Sequence, residues 1–167
     1  MRKAVLLSGG ILPFVLAVVV VDQVSKGYAR NTLQGLPPFT APGGVIRFEY
    51  VENSAGFLGF LLAVPEPLRG IVLTVGVGLL LLAFTVIVLR YQQRLSIAQI
   101  TVASLILAGG TSNLIDRLIN NGGVIDFIAI TLGPFSTGIF NLADVYILGG
   151  GFYLGYSLAR LLPPAHP

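Results

Sequence analysis

The stretch LRGIVLTVGVGLLLLAFTVIVL, residues 68–89, decides what kind of protein this is, because Arg69 is its only charge. About 20 consecutive apolar residues are enough for a helix to cross the hydrocarbon core of a bilayer. The run is closed by Arg90-Tyr91-Gln92-Gln93-Arg94, and a second apolar run, Ile97 to Ile115, begins almost at once and ends at Asp116-Arg117. So short a link predicts an antiparallel helix pair. Two further runs of the same kind flank this pair, Ala4 to Val21 and Leu142 to Leu162. The expected fold is an all-α membrane protein of four transmembrane helices, at about 4–28, 68–89, 97–117 and 141–162, in one membrane-embedded domain covering 1–167.

Composition points the same way. The 167-residue chain is 54% hydrophobic and 10% charged, with a mean hydropathy of +0.87, far from the balance of a soluble domain. Its net charge of +3 comes from ten scattered basic residues, with no stripe or interleaved aromatics to follow a nucleic acid. The chain has no cysteine, and its single histidine, His166, sits in a Pro-rich tail. Thiolate chemistry and zinc sites built from Cys and His are thereby excluded. The opening Met1-Arg2-Lys3 has the charge layout of a secretory signal, but the apolar run is long and no small-residue cleavage site follows, so an uncleaved first helix is expected.

One long connection, about 30–67, separates the first two spans. Pro37, Pro38, Pro42, Gly43 and Gly44 argue against helix there. Ile46, Phe48 and Tyr50 alternate with Arg47 and Glu49, the period of a strand with one apolar face. The expectation is a small β-sheet and loop on the membrane surface between spans one and two. After span three, Asn120-Asn121-Gly122-Gly123 signals a turn, and the chain is expected to re-enter near Asp126 and dip through Gly133-Pro134. Basic residues divide five and five between the two sides, so the positive-inside rule alone leaves orientation tied. The density of the Met1-Arg2-Lys3 flank and the brevity of the Arg90–Arg94 link favour cytoplasmic termini.

The seven acids, Asp22, Glu49, Glu52, Glu66, Asp116, Asp126 and Asp144, lie at or beyond the ends of the apolar runs. Asp22 and Lys26 stand at i, i+4, the spacing of an ion pair or of a polar floor under a site. Asn113 and Asp116 share a helix face, with Arg117 adjacent, and either cap the helix as a structural network or meet a substrate. Asn141 and Asp144 stand at i, i+3 in the first turn of span four, where the helix dipole favours an ionised carboxylate. If Asp126 approaches Asp144, the two would share a proton, as in aspartic proteases. The plain alternative is a turn residue and a helix-terminal one. A small proton-coupled transporter is a rival, but its ionisable groups belong in mid-span or on repeated halves, which this chain lacks. A non-catalytic scaffold is a second rival and would not need both aspartates.

Taken in order, Asp22-Gln23-x-x-Lys26, Asn53 with Phe57, Gly109-Gly110-x-x-Asn113-x-x-Asp116-Arg117, Val124-x-Asp126-Phe127 and Phe140-Asn141-x-Ala143-Asp144 resemble the lipoprotein signal peptidases (signal peptidase II). The resemblance runs from the first span to the last. It implies an aspartic endopeptidase of the bacterial inner membrane, without metal or other cofactor. Such an enzyme removes the signal peptide of a prolipoprotein by cutting before its diacylglyceryl-modified cysteine. By the same resemblance, Asp126 and Asp144 match the catalytic pair, and Asp22, Lys26, Asn53, Asn113, Arg117 and Asn141 match the polar residues that shape the site, with Asp116 in the structural network. It also implies cytoplasmic termini, a site near the outer face, membrane lipids and lipid-modified prolipoproteins as partners, and inhibition by globomycin-like peptides. A monomer is expected. The family usually has glycine two places after the loop asparagine, where this chain has Ala55 followed by Gly56.

Overall fold

The computed structural model of the chain describes residues 10–56 and 63–160. Four helices, α1 (Ile11–Leu33), α2 (Glu66–Tyr91), α3 (Ile97–Ile119) and α4 (Leu142–Ala159), are joined by strands β1 (Phe39–Thr40), β2 (Ile46–Asn53), β3 (Val124–Leu132) and β4 (Phe135–Ser136). Among the described residues, α1, α3 and the 68–91 portion of α2 are long and apolar enough to cross a membrane. The fourth helix is shorter, 18 residues, and carries three consecutive glycines with three tyrosines. The first helix runs five residues further than expected, to Leu33, because after Gly27 no proline or glycine occurs until Gly35. Its expected start at residues 4–9 lies outside the described residues, as do 161–162 of the expected last span.

Among the described residues helix α3 is the hub, packing against each of the other helices, whereas α2 packs against no helix but α3. It begins with a capping box in which Ser96 and Gln99 satisfy each other's backbone N–H, the reciprocal arrangement that fixes a helix start. Close approach of α3 to α4 depends on Gly109, since a Cβ there would sit 2.6 Å from the Ala143 carbonyl oxygen and 3.0 Å from Ile147. Gly109→Leu is therefore expected to destabilise the protein by roughly 1–3 kcal/mol or more through overpacking, measured as a lower thermal unfolding midpoint in detergent. Outward faces of the helices stay apolar, with Val24, Leu79, Leu80 and Phe152 more than half exposed. In water such a surface would associate, so its natural surrounding is lipid.

The sheet is antiparallel in the order β1-β2-β3-β4. It is not confined to the connection between the first two long helices, as the sequence suggested, because β3 and β4 come from the segment between α3 and α4. The run Val-Ile-Asp-Phe-Ile-Ala-Ile that looked like a re-entrant segment is a strand buried on both faces over much of its length, and a doubly buried strand loses the alternation that would reveal it. Gly133, with φ +58°, makes the β3–β4 turn instead of a dip. Ala29 of α1 forms a buried cluster with Ile125 and Phe127, and Leu33, Tyr50, Ile128 and Leu142 pack around it. This contact clamps the sheet onto the ends of the helices.

Candidate active site

Helix α1 buries a single narrow stripe, Val19, Asp22, Lys26 and Ala29. Its two charged members can be buried only with partners. Lys26 Nζ lies 2.7 Å from Asp22 Oδ2 and 2.9 Å from Asp116 Oδ2, and donates to Asn113 Oδ1 at 2.7 Å. Asp22 is completed by Ser112 Oγ–H at 2.7 Å and the Ala143 N–H at 2.9 Å. Asp116 is completed by the Ile125 N–H at 3.2 Å and Gln23 Nε2 at 2.8 Å. One ammonium thus ties together α1, α3, β3 and the start of α4.

Above this floor, Asn141 and Asp144 open α4 reciprocally. The Asp144 N–H donates to Asn141 Oδ1 at 3.0 Å, and the Asn141 N–H donates to Asp144 Oδ2 at 3.1 Å. The pair forms a capping box. The other Asp144 oxygen accepts from Asn113 Nδ2 at 3.0 Å. Asn141 Nδ2 meanwhile donates to Asp126 Oδ1 at 2.7 Å and to Asn113 Oδ1 at 3.2 Å. A single buried amide therefore bridges the two aspartates, holding Asp126 by its side chain and Asp144 by its backbone. The second Asp126 oxygen accepts from Asn53 Nδ2 at 2.9 Å, reached from β2. Val51 faces Asp126 across the ladder, and alternate residues of a strand share a face, which sets Asn53 diagonally beside the carboxyl.

Asp126 titrates at about 7, raised chiefly by burial and further by the charge of Asp144, against the opposing hydrogen bonds from Asn53 and Asn141 and the charge of Lys26. A neutral carboxyl beside a second carboxyl can donate one proton and accept another at neutral pH. Among the described residues no group of three or more His, Cys, Asp or Glu could hold a metal ion.

The structure brings together Asp22, Lys26, Asn53, Asn113, Asp116, Asp126, Asn141 and Asp144 in one bonded network. Arg117 joins through its Nη1, which donates to the Asn113 carbonyl at 3.1 Å, while Lys26 takes Asp116. The buried Arg117 Nε has no hydrogen-bond partner among the described residues. Gln23 appears in the sequence only as part of the Asp22-Gln23-x-x-Lys26 motif with no role assigned, and Ser112 has none either. Gln23 Nε2 reaches Ser112 O, Ser112 Oγ and Asp116 Oδ1 at 3.1, 2.9 and 2.8 Å, and the signal available was one polar residue just beyond the Ala4–Val21 run and another inside the Ile97–Ile115 run. After Asn53, whose Oδ1 accepts from the Ala55 N–H at 3.0 Å, the left-handed conformation falls on Gly56 at φ +76°. Ala55 therefore needs no glycine. Phe57, quoted with Asn53 in the sequence motif, lies outside the described residues.

Comparison with known proteins places the chain in a family. The family profile described as signal peptidase (SPase) II matches residues 14–160. The lipoprotein signal peptidase of Moorella thermoacetica is 34% identical over 161 residues, covering 91% of this chain and 95% of the relative. That of Treponema denticola is 34% identical over 153 residues, covering 88% of each. A solved bacterial membrane enzyme shares the fold with a TM-score of 0.72 at 22% identity, covering 96% of this chain and 95% of its own. With a family profile spanning most of the chain and relatives matched over nearly their whole length, this chain belongs to the signal peptidase II family.

Proposed function

We propose that this protein is a membrane-embedded aspartic endopeptidase that removes signal peptides from bacterial prolipoproteins by cutting before the diacylglyceryl-modified cysteine. The observation that carries the reading is the Asn141 amide bridging Asp126 and Asp144, each of whose oxygens already accepts one donor. Asp126, neutral up to about pH 7, hydrogen-bonds the scissile carbonyl. Asp144, in the first turn of α4 with the helix dipole behind it, takes a proton from a water that attacks that carbonyl. The proton then passes to the leaving amine, and no covalent intermediate forms. Asn113 and Asn141 orient the carboxyls, Lys26, Asp22 and Asp116 form the charged floor, and Arg117 offers its unused guanidinium donors to the substrate backbone.

The helices α1, α2, α3 and α4 all span the membrane in this reading, with both termini cytoplasmic and the site near the outer face of the inner membrane. The protein acts as a monomer. Acyl chains of the substrate stay in the bilayer while the cut bond reaches the polar layer at the helix ends. The test is cleavage of a lipid-modified prolipoprotein by the purified protein, with and without a globomycin-like peptide. Failure to release the signal peptide, or equal cleavage of the unlipidated precursor, would reject it.

The pH profile follows from the site. Activity requires protonated Asp126, so turnover should fall as pH rises through about 7. Asn53→Ala removes a bond that favours the ionised form. It should move this basic limb to higher pH while lowering the plateau roughly tenfold, measured by turnover against pH.

A further inference from the structure

Arg30, Tyr50 and Glu52 form a polar cluster outside the chemistry above. Arg30 on α1 donates through Nη2 to Asn120 Oδ1 at 2.6 Å and through Nε to Tyr50 Oη at 3.2 Å. Tyr50 Oη donates in turn to Glu52 Oε1 at 2.5 Å, and Arg30 Nη2 stands 3.6 Å from the same oxygen. Asn120 is the C-cap of α3. One guanidinium fork therefore joins α1, the end of α3 and strand β2, a geometry that a lysine could not reproduce.

The cluster sits where β2 needs it. The ladder with β3 is interrupted between Phe48 and Val51 and resumes with Val51 opposite Asp126, Glu52 opposite Ile125 and Asn53 opposite Val124. An irregularity of this kind loosens the pairing locally, and a slip of one residue would turn every following side chain to the other face. Tyr50 and Glu52 share the face that packs on α1, since Tyr50 lies against Ala29, Ile125 and Phe127. Asn53 projects with Val51 to the opposite face, towards Asp126.

We propose that Arg30, Tyr50 and Glu52 act as a positioning latch that fixes the register of β2 beyond its irregularity, and so determines whether Asn53 reaches Asp126. The latch rests on the aspartate reading above but is separable from it. The Arg30–Glu52 ion pair is half-exposed and contributes little by charge alone. The bonds to Asn120 and Tyr50 supply the geometry. Asp126 is faced by Asn53 from β2, Asn141 and Asp144 from α4, Lys26 from α1 and Arg117 from α3, so its titration reports on whether the Asn53 bond is made.

Tyr50→Phe keeps the ring in its cluster and removes only the shared hydroxyl. Arg30→Met removes the fork. Both are measured with Asn53→Ala, the double variant Tyr50→Phe/Asn53→Ala, and Asp126→Asn, for turnover against pH on a lipid-modified prolipoprotein and for thermal unfolding. Each latch variant is expected to lower kcat by up to roughly tenfold and to move the basic limb to higher pH, in the direction of Asn53→Ala. Adding Tyr50→Phe to Asn53→Ala should cost less than about twofold more, as for residues acting as one unit. An unchanged kcat, a loss of kcat with the limb unmoved, or losses that multiply in the double variant would each overturn the latch. Cleavage persisting in Asp126→Asn would instead overturn the aspartate reading on which it rests.

Discussion

Replacing Asp126 or Asp144 by asparagine is expected to lower cleavage by at least 10²–10⁴-fold, about the contribution of a positioned acid or base, while the protein stays folded. Asparagine keeps the size of each carboxyl and one acceptor oxygen, so at Asp126 one of the donors from Asn141 and Asn53 keeps its partner. At Asp144 the amide oxygen can still accept from either Asn113 or the Asn141 N–H. What is lost is the ability to gain or give up a proton. Signal-peptide release, followed by a mobility shift of the prolipoprotein, measures the first part, and the unfolding midpoint measures the second. Chelators should leave the wild-type rate unchanged, because the proposed mechanism routes no step through a metal. Either single variant with near-native cleavage would end the two-carboxylate mechanism.

Lys26→Met should have the largest effect on stability. The ammonium is 1% exposed and holds two carboxylates that are as deeply buried. Removing one partner of a buried ion pair strands the other, at a cost of about 3–5 kcal/mol. The sign can be tested internally. Asp22→Asn/Lys26→Met removes one anion with the cation, and an asparagine at 22 can still accept from the Ala143 N–H and donate to Ser112 Oγ, the two neighbours that Asp22 now bonds. The double variant should therefore unfold at a higher temperature than Lys26→Met alone. If it unfolds lower, the hub is held by packing and not by its charge balance.

These two predictions concern different degrees of legibility. The Asp22–Lys26 pair could be read directly, because an i, i+4 spacing on a helix brings side chains together whatever surrounds it. The cross-helix half of the same hub, Lys26 with Asp116, could not, since nothing local says which face of α3 meets α1. Asn141 and Asp144 were legible as a first-turn pair, but the bridge from Asn141 to Asp126 depends on β3, whose apolar run hid its strand character. Four long apolar segments were visible, whereas among the described residues three helices are long and apolar enough to cross a membrane and α4, at 18 residues, is not one of them. Arg30, Tyr50 and Glu52 gave no signal at all, because a cluster joining three elements has no spacing of its own.

The pairing of β2 with β3 has a consequence for the order in which the molecule can be assembled. Asn53 and its opposite residue Val124 are separated in the chain by both α2 and α3, so this is the most non-local of the strand pairings among the described residues and closes late. Until the helical hairpin is in place and β3 has been delivered, β2 has only the two-residue β1 beside it and presents an open edge. The aspartates come after that edge, one within β3 and one in the helix beyond it. A nascent or truncated chain that stops before β3 therefore lacks both carboxylates of the proposed pair and displays an unpaired strand edge, so under the proposed mechanism an incomplete molecule has no means of cleaving a substrate.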